Sequence, residues 1–208
     1  MEPPDAVEIP VLGCLIEKQR TTPDVYPLSL NSLRLACNQA TNREPVVAYD
    51  EPTIRDALQR LARRRWTRLA SDSGSRATKY RHLLDETLDV KFGEISVLAV
   101  LMLRGAQTAG ELKTRTERLS PFASLADLQD TLDGLTGRQM VERLERRPGQ
   151  KEERWVQILG GAPMNSGEGF ESVNDPAPTK PDRLAELEER VRRLEEQVAT
   201  LTRTPPSV

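Results

Sequence analysis

An internal repeat constrains this chain more than any other feature of its sequence. The segment EIPVLGCL at Glu8–Leu15 resembles EISVLAVL at Glu94–Leu101, at an offset of 86 residues. The same pattern follows each copy: an apolar helix, a loop, a short second helix, a third helix and two strand-like runs. Three helices followed by a two-stranded hairpin describe a winged helix, and the order occurs twice. The sequence therefore predicts a mainly α protein with small β wings: two tandem winged-helix domains, residues 1–86 and 87–160, plus a C-terminal coiled-coil helix.

The first copy carries helix and strand signals in that order. Thr21–Asp24 contains a proline that breaks the first helix, Ser29 is typical of a cap for the second, and Asp50–Pro52 of the start of the third. Helical spacing predicts these core-facing residues: Val7, Val11, Leu12, Leu15 and Ile16, then Leu30, Leu33 and Cys37, then Ile54, Leu58 and Leu61. The predicted strands are Pro45–Tyr49, Trp66–Ala70 and Thr78–Leu83, with a turn-rich tip at Ser71–Ser75.

The second copy repeats this outline. Its first helix spans about Glu94 to Arg104. Thr108 followed by Glu111 is a capping-box pattern that opens a short second helix, and Ser124 opens a third. The residues of the third helix that are predicted to face the core are Leu125, Leu128, Leu132 and Leu135. The predicted strands lie near Met140–Leu144 and Arg154–Leu159, with a tip at Arg147–Gln150.

Residues 161–182 and 183–203 differ in kind from the two copies. The first segment is rich in Gly, Pro, Ser and Asn without apolar periodicity, which predicts a flexible linker. In the second, apolar residues recur in alternating steps of three and four, as in a coiled-coil seam: Leu184, Leu187, Val191, Leu194, Val198 and Leu201. This mix of Leu and Val favours two parallel strands, so the sequence predicts a homodimer through residues 183–203. Antiparallel packing within one chain or onto a winged helix is the alternative.

Several long strings resemble the YceH-like family of uncharacterised bacterial proteins. They lie in the first copy, at Gly13–Gln19, Thr21–Pro23, Tyr26–Ser29, Ala36–Gln39 and Thr41–Pro45, and in the second, at Leu103–Thr108 and Gly110–Leu112. The resemblance covers about residues 5 to 160. It implies a tandem winged-helix fold, and it implies no activity.

Composition and motifs argue against an enzyme. The chain has 30 basic and 32 acidic side chains, for a formal net charge of −2, and it holds one His and two Cys. No phosphate loop, dinucleotide-binding turn, nucleophile elbow or zinc-protease helix occurs in the sequence. His82 lies in a predicted strand with no Cys or Ser motif beside it, so we expect a structural or exposed residue. The sequence predicts no catalytic residue, no cofactor and no metal site.

The start of the chain and its cysteines indicate the compartment. Met1–Asp5 is acidic and Pro-rich, unlike a secretory signal, and no run approaches the roughly 18 apolar residues of a membrane span. Cys14 and Cys37 are isolated, which predicts two small buried hydrophobic residues rather than a disulfide or a metal site. We expect a cytoplasmic protein that does not contact a membrane.

The near-neutral total charge conceals a basic stretch. From Arg55 to Arg81 there are nine basic residues against two acidic ones, in the third helix and wing of the first copy. In helix-turn-helix proteins this helix can enter the major groove while flanking parts contact the backbone. The predicted contacts to double-stranded DNA are Arg55, Gln59, Arg60, Arg63, Arg64, Arg76 and Lys79. The alternative is a solvated helix end, because cations complement the helix dipole at the C-terminus.

A protein-interaction adaptor without nucleic-acid binding is the competing hypothesis. The third helix of the second copy carries three aspartates, Asp127, Asp130 and Asp133, which phosphates would repel. In the first copy, a polar string could contact a partner through Asn38, Gln39, Asn42 and Arg43, with Arg43 as its anchor. The structural alternative is that these residues close a turn by bonding backbone groups. An enzyme with a site between the repeats is a weaker third hypothesis.

Overall fold

The element order of the first copy returns in the second. A computed structural model of the chain describes residues 2–70, 78–146 and 152–161, and within them the protein is mainly helical with small antiparallel sheets. The first copy contains α1 (Glu8–Thr21), a 3-10 turn (Pro23–Val25), β1 (Leu28–Ser29), α2 (Leu30–Cys37), α3 (Glu51–Arg63), β2 (Thr67–Ala70) and β3 (Lys79–His82). A short helix α4 (Leu84–Leu88) leads to α5 (Phe92–Arg104), α6 (Ala109–Thr116), α7 (Leu125–Gly137), β4 (Val141–Leu144) and β5 (Arg154–Gln157).

Side-chain caps determine where several helices begin. Ser29 at the start of α2 and Asp50 at the start of α3 each accept a hydrogen bond from the backbone N–H three residues later, at 3.2 and 2.9 Å. Reciprocal capping boxes that begin at Thr108 and Ser124 open α6 and α7. These caps occupy N–H groups that have no partner inside the helix. They confirm the helix starts predicted from the sequence.

Each copy ends in an antiparallel hairpin that is tied to the start of its second helix. In the first copy β3 lies between β1 and β2, with Leu28 opposite Tyr80. In the second copy β4 pairs with β5, and a single bridge joins Gln107, directly before the α6 cap, to Trp155 of β5. The bridge occupies the place that β1 has in the first copy. The two copies therefore share their sheet connections as well as their helix order.

The first helix of each copy is buried on nearly all sides. All but one of residues 8–17 of α1 are buried, as are residues 95–103 of α5. The two helices pack against each other, and a Cβ added at Gly13 would lie 3.0 Å from side-chain atoms of both Met102 and Leu103. A helix that is buried all round needs partners on every side. One side of each helix packs against the rest of its own copy, and the opposite side packs against the first helix of the other copy. The buried apolar residues of both copies form one cluster.

Two structural predictions are wrong. Residues 45–49 do not form a strand, because the Asn38 side chain bonds both the N–H and the carbonyl of Tyr49, each at 2.8 Å, and takes the groups that a ladder would use. The pair Leu28–Ser29 supplies the third strand instead. Leu125 was expected in the core but is 49% exposed. It is the first residue of α7, so it lies beyond the part of the helix that packs.

Helix α4 joins the two copies and was not expected from the sequence. The predicted domain boundary at residue 86 falls within it, and the division into two domains stays a prediction. The hairpin tips at 71–75 and 147–150, nearly all of the linker, and the coiled-coil segment 183–203 lie outside the described residues. Across the part of the chain that is described, every helix is too short or too polar to cross a bilayer.

Candidate nucleic-acid interface

The outward face of α3 carries a row of long polar side chains. The apolar residues of this helix are buried, and Arg55, Gln59 and Arg63 on the opposite side are exposed, as the helical spacing predicts. These three residues are four positions apart, so they lie one turn above another on one face. Within the described residues Arg60 of α3 and Arg64, the residue that follows the helix, make ion pairs, whereas Arg55 and Arg63 make none. The row therefore presents positive charge to solvent.

Arg60 and Arg64, also predicted to contact DNA, form ion pairs with carboxylates near the start of α1. Arg60 Nη2 lies 2.7 Å from Asp5 Oδ2, and Arg60 Nε lies 3.3 Å from Glu8 Oε2. Arg64 Nε lies 3.4 Å from Glu8 Oε1. The Glu8 side chain is only 2% exposed, and a buried carboxylate without a partner would be costly. The two arginines thus attach the start of α1 to α3, and Glu8 partly cancels their charge.

The β2–β3 hairpin adds basic side chains beside α3. Arg68 on β2 is exposed and Lys79 on β3 is half-buried, while Arg81 pairs with Glu86. Arg76, predicted to contact DNA from the wing, lies outside the described residues. In the described part of the first copy, the exposed arginines that could meet phosphates are therefore Arg55 and Arg63 of α3, Arg65 in the turn after it, and Arg68 of β2.

The exposed side of α7 in the second copy carries negative charge, with Asp133 at the position that corresponds to Gln59 of α3. Asp127, Asp130 and Asp133 are exposed on α7, the counterpart of α3. A row of carboxylates repels the DNA backbone, whose affinity for proteins depends on neutralised phosphates. The two copies therefore present different surfaces at equivalent positions.

Arg43 is buried rather than displayed for a partner. It is 7% exposed; its Nη2 lies 2.6 Å from Glu17 Oε2 and donates to the Ala36 carbonyl at 2.7 Å. Burial alone would lower the Arg43 pKa, but the hydrogen bond and the negative charge of Glu17 outweigh burial and raise the pKa above its ordinary value. The guanidinium therefore joins α1, the end of α2 and the following loop.

The other members of the polar string also make internal hydrogen bonds. Asn38 closes the turn to residue 49, Gln39 Oε1 lies 3.4 Å from Lys18 Nζ, and Asn42 Oδ1 accepts from Arg104 Nη2. These bonds are what the structural alternative predicts. Partner binding by this string stays a prediction, and Arg43 lacks the exposure that an anchor would need.

His82 is an internal group that joins α1 to the end of β3. It is 1% exposed, its Nε2 lies 2.7 Å from Gln19 Oε1, and its Nδ1 accepts from the Leu84 N–H at 3.3 Å. Burial lowers the pKa of His82 to about 4, although Asp85 opposes the shift. At neutral pH the ring is uncharged, with Nε2 as its donor. These contacts fit a structural residue.

The cysteines are buried thiols, as predicted. Cys14 and Cys37 are both free and fully buried. A hydrogen bond with the Cys14 thiol, together with burial, raises the pKa of Cys37, so both side chains pack as small apolar groups. Among residues 2–70, 78–146 and 152–161, no group of three or more His, Cys, Asp or Glu side chains is placed to hold a metal ion.

Nothing in the sequence pattern predicts a cavity of about 310 Å³ between the copies. Its lining comes from α1, the loop after α2, α5, α6 and the residues that follow α6. The polar residues around it are Glu17, Asn42, Arg104, Thr114, Arg115 and Arg118. These residues are scattered along the chain, so no sequence motif predicts that they lie together. Only the packing of α1 against α5, which in turn packs against α6, brings them together.

Comparison with known proteins gives a family and several close relatives. A family described as "Protein of unknown function, DUF480" matches residues 5–150. A UPF0502 protein of Geobacter sulfurreducens is 47% identical over 197 residues, covering 94% of this chain and 88% of the relative. One from Pelobacter propionicus is 46% identical over 202 residues (94% and 92%), and one from Serratia proteamaculans is 40% identical over 203 residues (94% of each).

Proposed function

We propose that this chain, which belongs to the DUF480 family of unknown function, binds duplex DNA through the exposed face of α3. The family and its UPF0502 relatives carry no assigned activity, so the proposal is drawn from the geometry of this chain. In this proposal the first copy acts as a winged helix. Arg55, Gln59 and Arg63 enter the major groove, and Arg68 and Lys79 of the hairpin contact the backbone.

The exposed row on α3 is the observation that supports this proposal. Arginine and glutamine are the side chains that read base edges in the major groove, and arginine also binds phosphates. Arg55 and Arg63 are free of ion pairs with the described residues, so no internal partner has to be displaced before they bind. Arg60 and Arg64 have such partners, and we assign them to holding α1 on α3.

Further parts of the proposal concern the rest of the chain. We propose a cytoplasmic homodimer formed through residues 183–203, which lie outside the described residues. Two linked copies would raise the avidity for DNA. No catalytic role is proposed for any residue. The exposed aspartates of α7 support a protein-binding role for the second copy, and a protein adaptor without DNA binding is the competing function.

The test is a titration of the full-length protein with a short fluorescent duplex of random sequence, read by anisotropy at about 50 and about 200 mM salt. We expect binding that weakens as salt rises, because each arginine that neutralises a phosphate releases counterions. The Arg55→Glu, Arg63→Glu variant is expected to bind at least about tenfold more weakly, since each such contact contributes about 1–3 kcal/mol.

A charge-matched control separates this site from the overall charge. Arg143→Glu, Arg146→Glu changes the net charge by the same amount on the second hairpin, where these side chains are 60% and 61% exposed. This control is expected to bind like the wild type, and circular dichroism checks that both variants fold. Absence of binding at low salt would refute the DNA proposal and favour the adaptor. Equal losses in both variants would show that α3 is not the interface.

A further inference from the structure

The cavity between the copies is built from both halves of the described chain. Helix α1 and the loop after α2 form one side, and α5, α6 and the residues that follow α6 form the other. Its volume of about 310 Å³ is at the lower end of pockets that hold small molecules. Any occupant would therefore touch both copies at once.

The cavity carries an excess of positive charge. Three arginines line it, Arg104, Arg115 and Arg118, with a single carboxylate, Glu17. That carboxylate is already neutralised by Arg43, whose Nη2 lies 2.6 Å away and whose side chain is 2% exposed. Glu17 and Glu44 still act on Arg104, and Glu111 lies 3.6 Å from Arg115, so the positive charge of the cavity is offset only in part.

One of these cations lacks a hydrogen-bond acceptor. Arg115 Nη1 is buried and has no partner within the described residues, while its Nη2 lies 3.6 Å from Glu111 Oε1. Burial lowers the pKa of Arg104, and the positive charge of Arg115 lowers it further, while the charges of Glu44 and Glu17 oppose the shift. The Arg115 side chain is 27% exposed as a whole, but a buried N–H donor without an acceptor is costly. Oxygen atoms of an anion placed in the cavity would supply the missing acceptor and relieve the repulsion.

The walls of the cavity are held in place without a ligand. The Asn42 side chain accepts a hydrogen bond from Arg104, and the Glu44 N–H donates to the Leu103 carbonyl at 2.9 Å. These two bonds attach the loop after α2 to α5. A site that is already formed loses little freedom when it binds, which favours affinity.

We propose that this cavity binds a small organic phosphate. Guanidinium groups from α5, α6 and the residues that follow α6 can surround the several oxygens of a phosphate, and such pairs are charge-assisted and often bidentate. The apolar lining residues Val100, Leu103 and Leu119 indicate that the ligand also carries a carbon skeleton. This site lies apart from α3, and its occupation does not depend on DNA binding.

The test is isothermal titration calorimetry of the full-length protein with phenyl phosphate at neutral pH, where the phosphate is mostly dianionic. Inorganic phosphate and benzoate serve as comparison ligands. We expect one saturable site with a Kd below about 1 mM. Inorganic phosphate should bind more weakly because it lacks the apolar group, and benzoate more weakly because it offers fewer oxygens and less charge.

Variants decide whether the binding belongs to this cavity. Arg115→Gln, and separately the exposed Arg118→Gln, should weaken phenyl phosphate by at least about tenfold. Arg143→Gln on the second hairpin should bind like the wild type, and so should Arg55→Glu, Arg63→Glu, which separates this proposal from the DNA proposal. The inference is overturned by the absence of saturable binding, by unchanged affinity in both cavity variants, or by benzoate that binds as tightly as phenyl phosphate.

Discussion

Replacing Gly13 with alanine tests how closely the two copies are packed. A Cβ at this position in α1 would lie 3.0 Å from Leu103 Cγ, 3.0 Å from Met102 Cβ and 3.1 Å from Leu103 Cδ2. Contacts this short require the neighbours to shift, and overpacking of this kind typically costs about 1–3 kcal/mol. Against this, alanine in a helix interior is favoured over glycine by about 1 kcal/mol. We expect Gly13→Ala to lower the free energy of unfolding by about 0–2 kcal/mol.

The matched control is Gly134→Ala in α7. A Cβ there would meet nothing within 4 Å, so only the helix preference acts and we expect a gain of about 1 kcal/mol. Because both variants share that preference, their difference isolates the overpacking cost. For a chain of this size, 1 kcal/mol moves Tm by roughly 2–4 °C.

Thermal unfolding followed by circular dichroism measures both variants under the same conditions. The Gly134 variant should melt above the wild type, and the Gly13 variant at or below it. If Gly13→Ala raises Tm as much as Gly134→Ala does, α1 and α5 are not in close contact at Gly13, and the packing between the copies is not as tight as inferred.

Three further predictions concern buried groups and the C-terminal seam. Burial lowers the pKa of His82 from 6.5 to about 4 in the folded state, so the contribution of His82 to the free energy of unfolding is complete above pH 6.5 and falls by on the order of 3 kcal/mol as the pH drops to 4. Urea unfolding at several pH values should show this loss in the wild type but not in His82→Gln. Parallel pH profiles of the two proteins would contradict the prediction. Arg43→Met should lower the free energy of unfolding by about 3–5 kcal/mol, because the buried Glu17 keeps only Lys18 Nζ, 4.0 Å away, as a cation. Adding Glu17→Gln to it should restore part of the loss, and independent, additive losses would show that the pair is not coupled. Leu187→Glu, Leu194→Glu should halve the particle mass in sedimentation, and an unchanged mass would show that residues 183–203 do not hold a dimer.

Local signals explain why much of the element order could be predicted. Ser29, Asp50, Thr108 and Ser124 cap helices where their residue types suggest, because a cap bonds an N–H only three residues away. The strand predicted at 45–49 failed for the same kind of reason. The side chain of Asn38, at the end of α2, hydrogen-bonds the N–H and the carbonyl of Tyr49, so these groups are not available to pair with a neighbouring strand.

The candidate interface was predicted in part. The spacing of apolar residues in α3 correctly predicted that Arg55, Gln59 and Arg63 face outward, because the helical period alone decides which side faces the core. It could not show that Arg64 meets Glu8, 56 residues earlier in the chain. An ion pair of this kind depends on how separate helices pack, and the spacing within one helix carries no information about it.

The amino-acid sequence by itself determined the repeat, the helix order and the outward face of α3, because these follow from periods and caps within a few residues. The tertiary structure decided which charges remain available. It paired Arg60 and Arg64 with the first residues of α1 and buried Arg43 against Glu17. It also gathered three arginines from α5, α6 and the residues after α6 around a cavity between the copies. The physical reason is that the burial and pairing of a charge depend on segments far apart in the chain, which meet only when the two apolar first helices pack together.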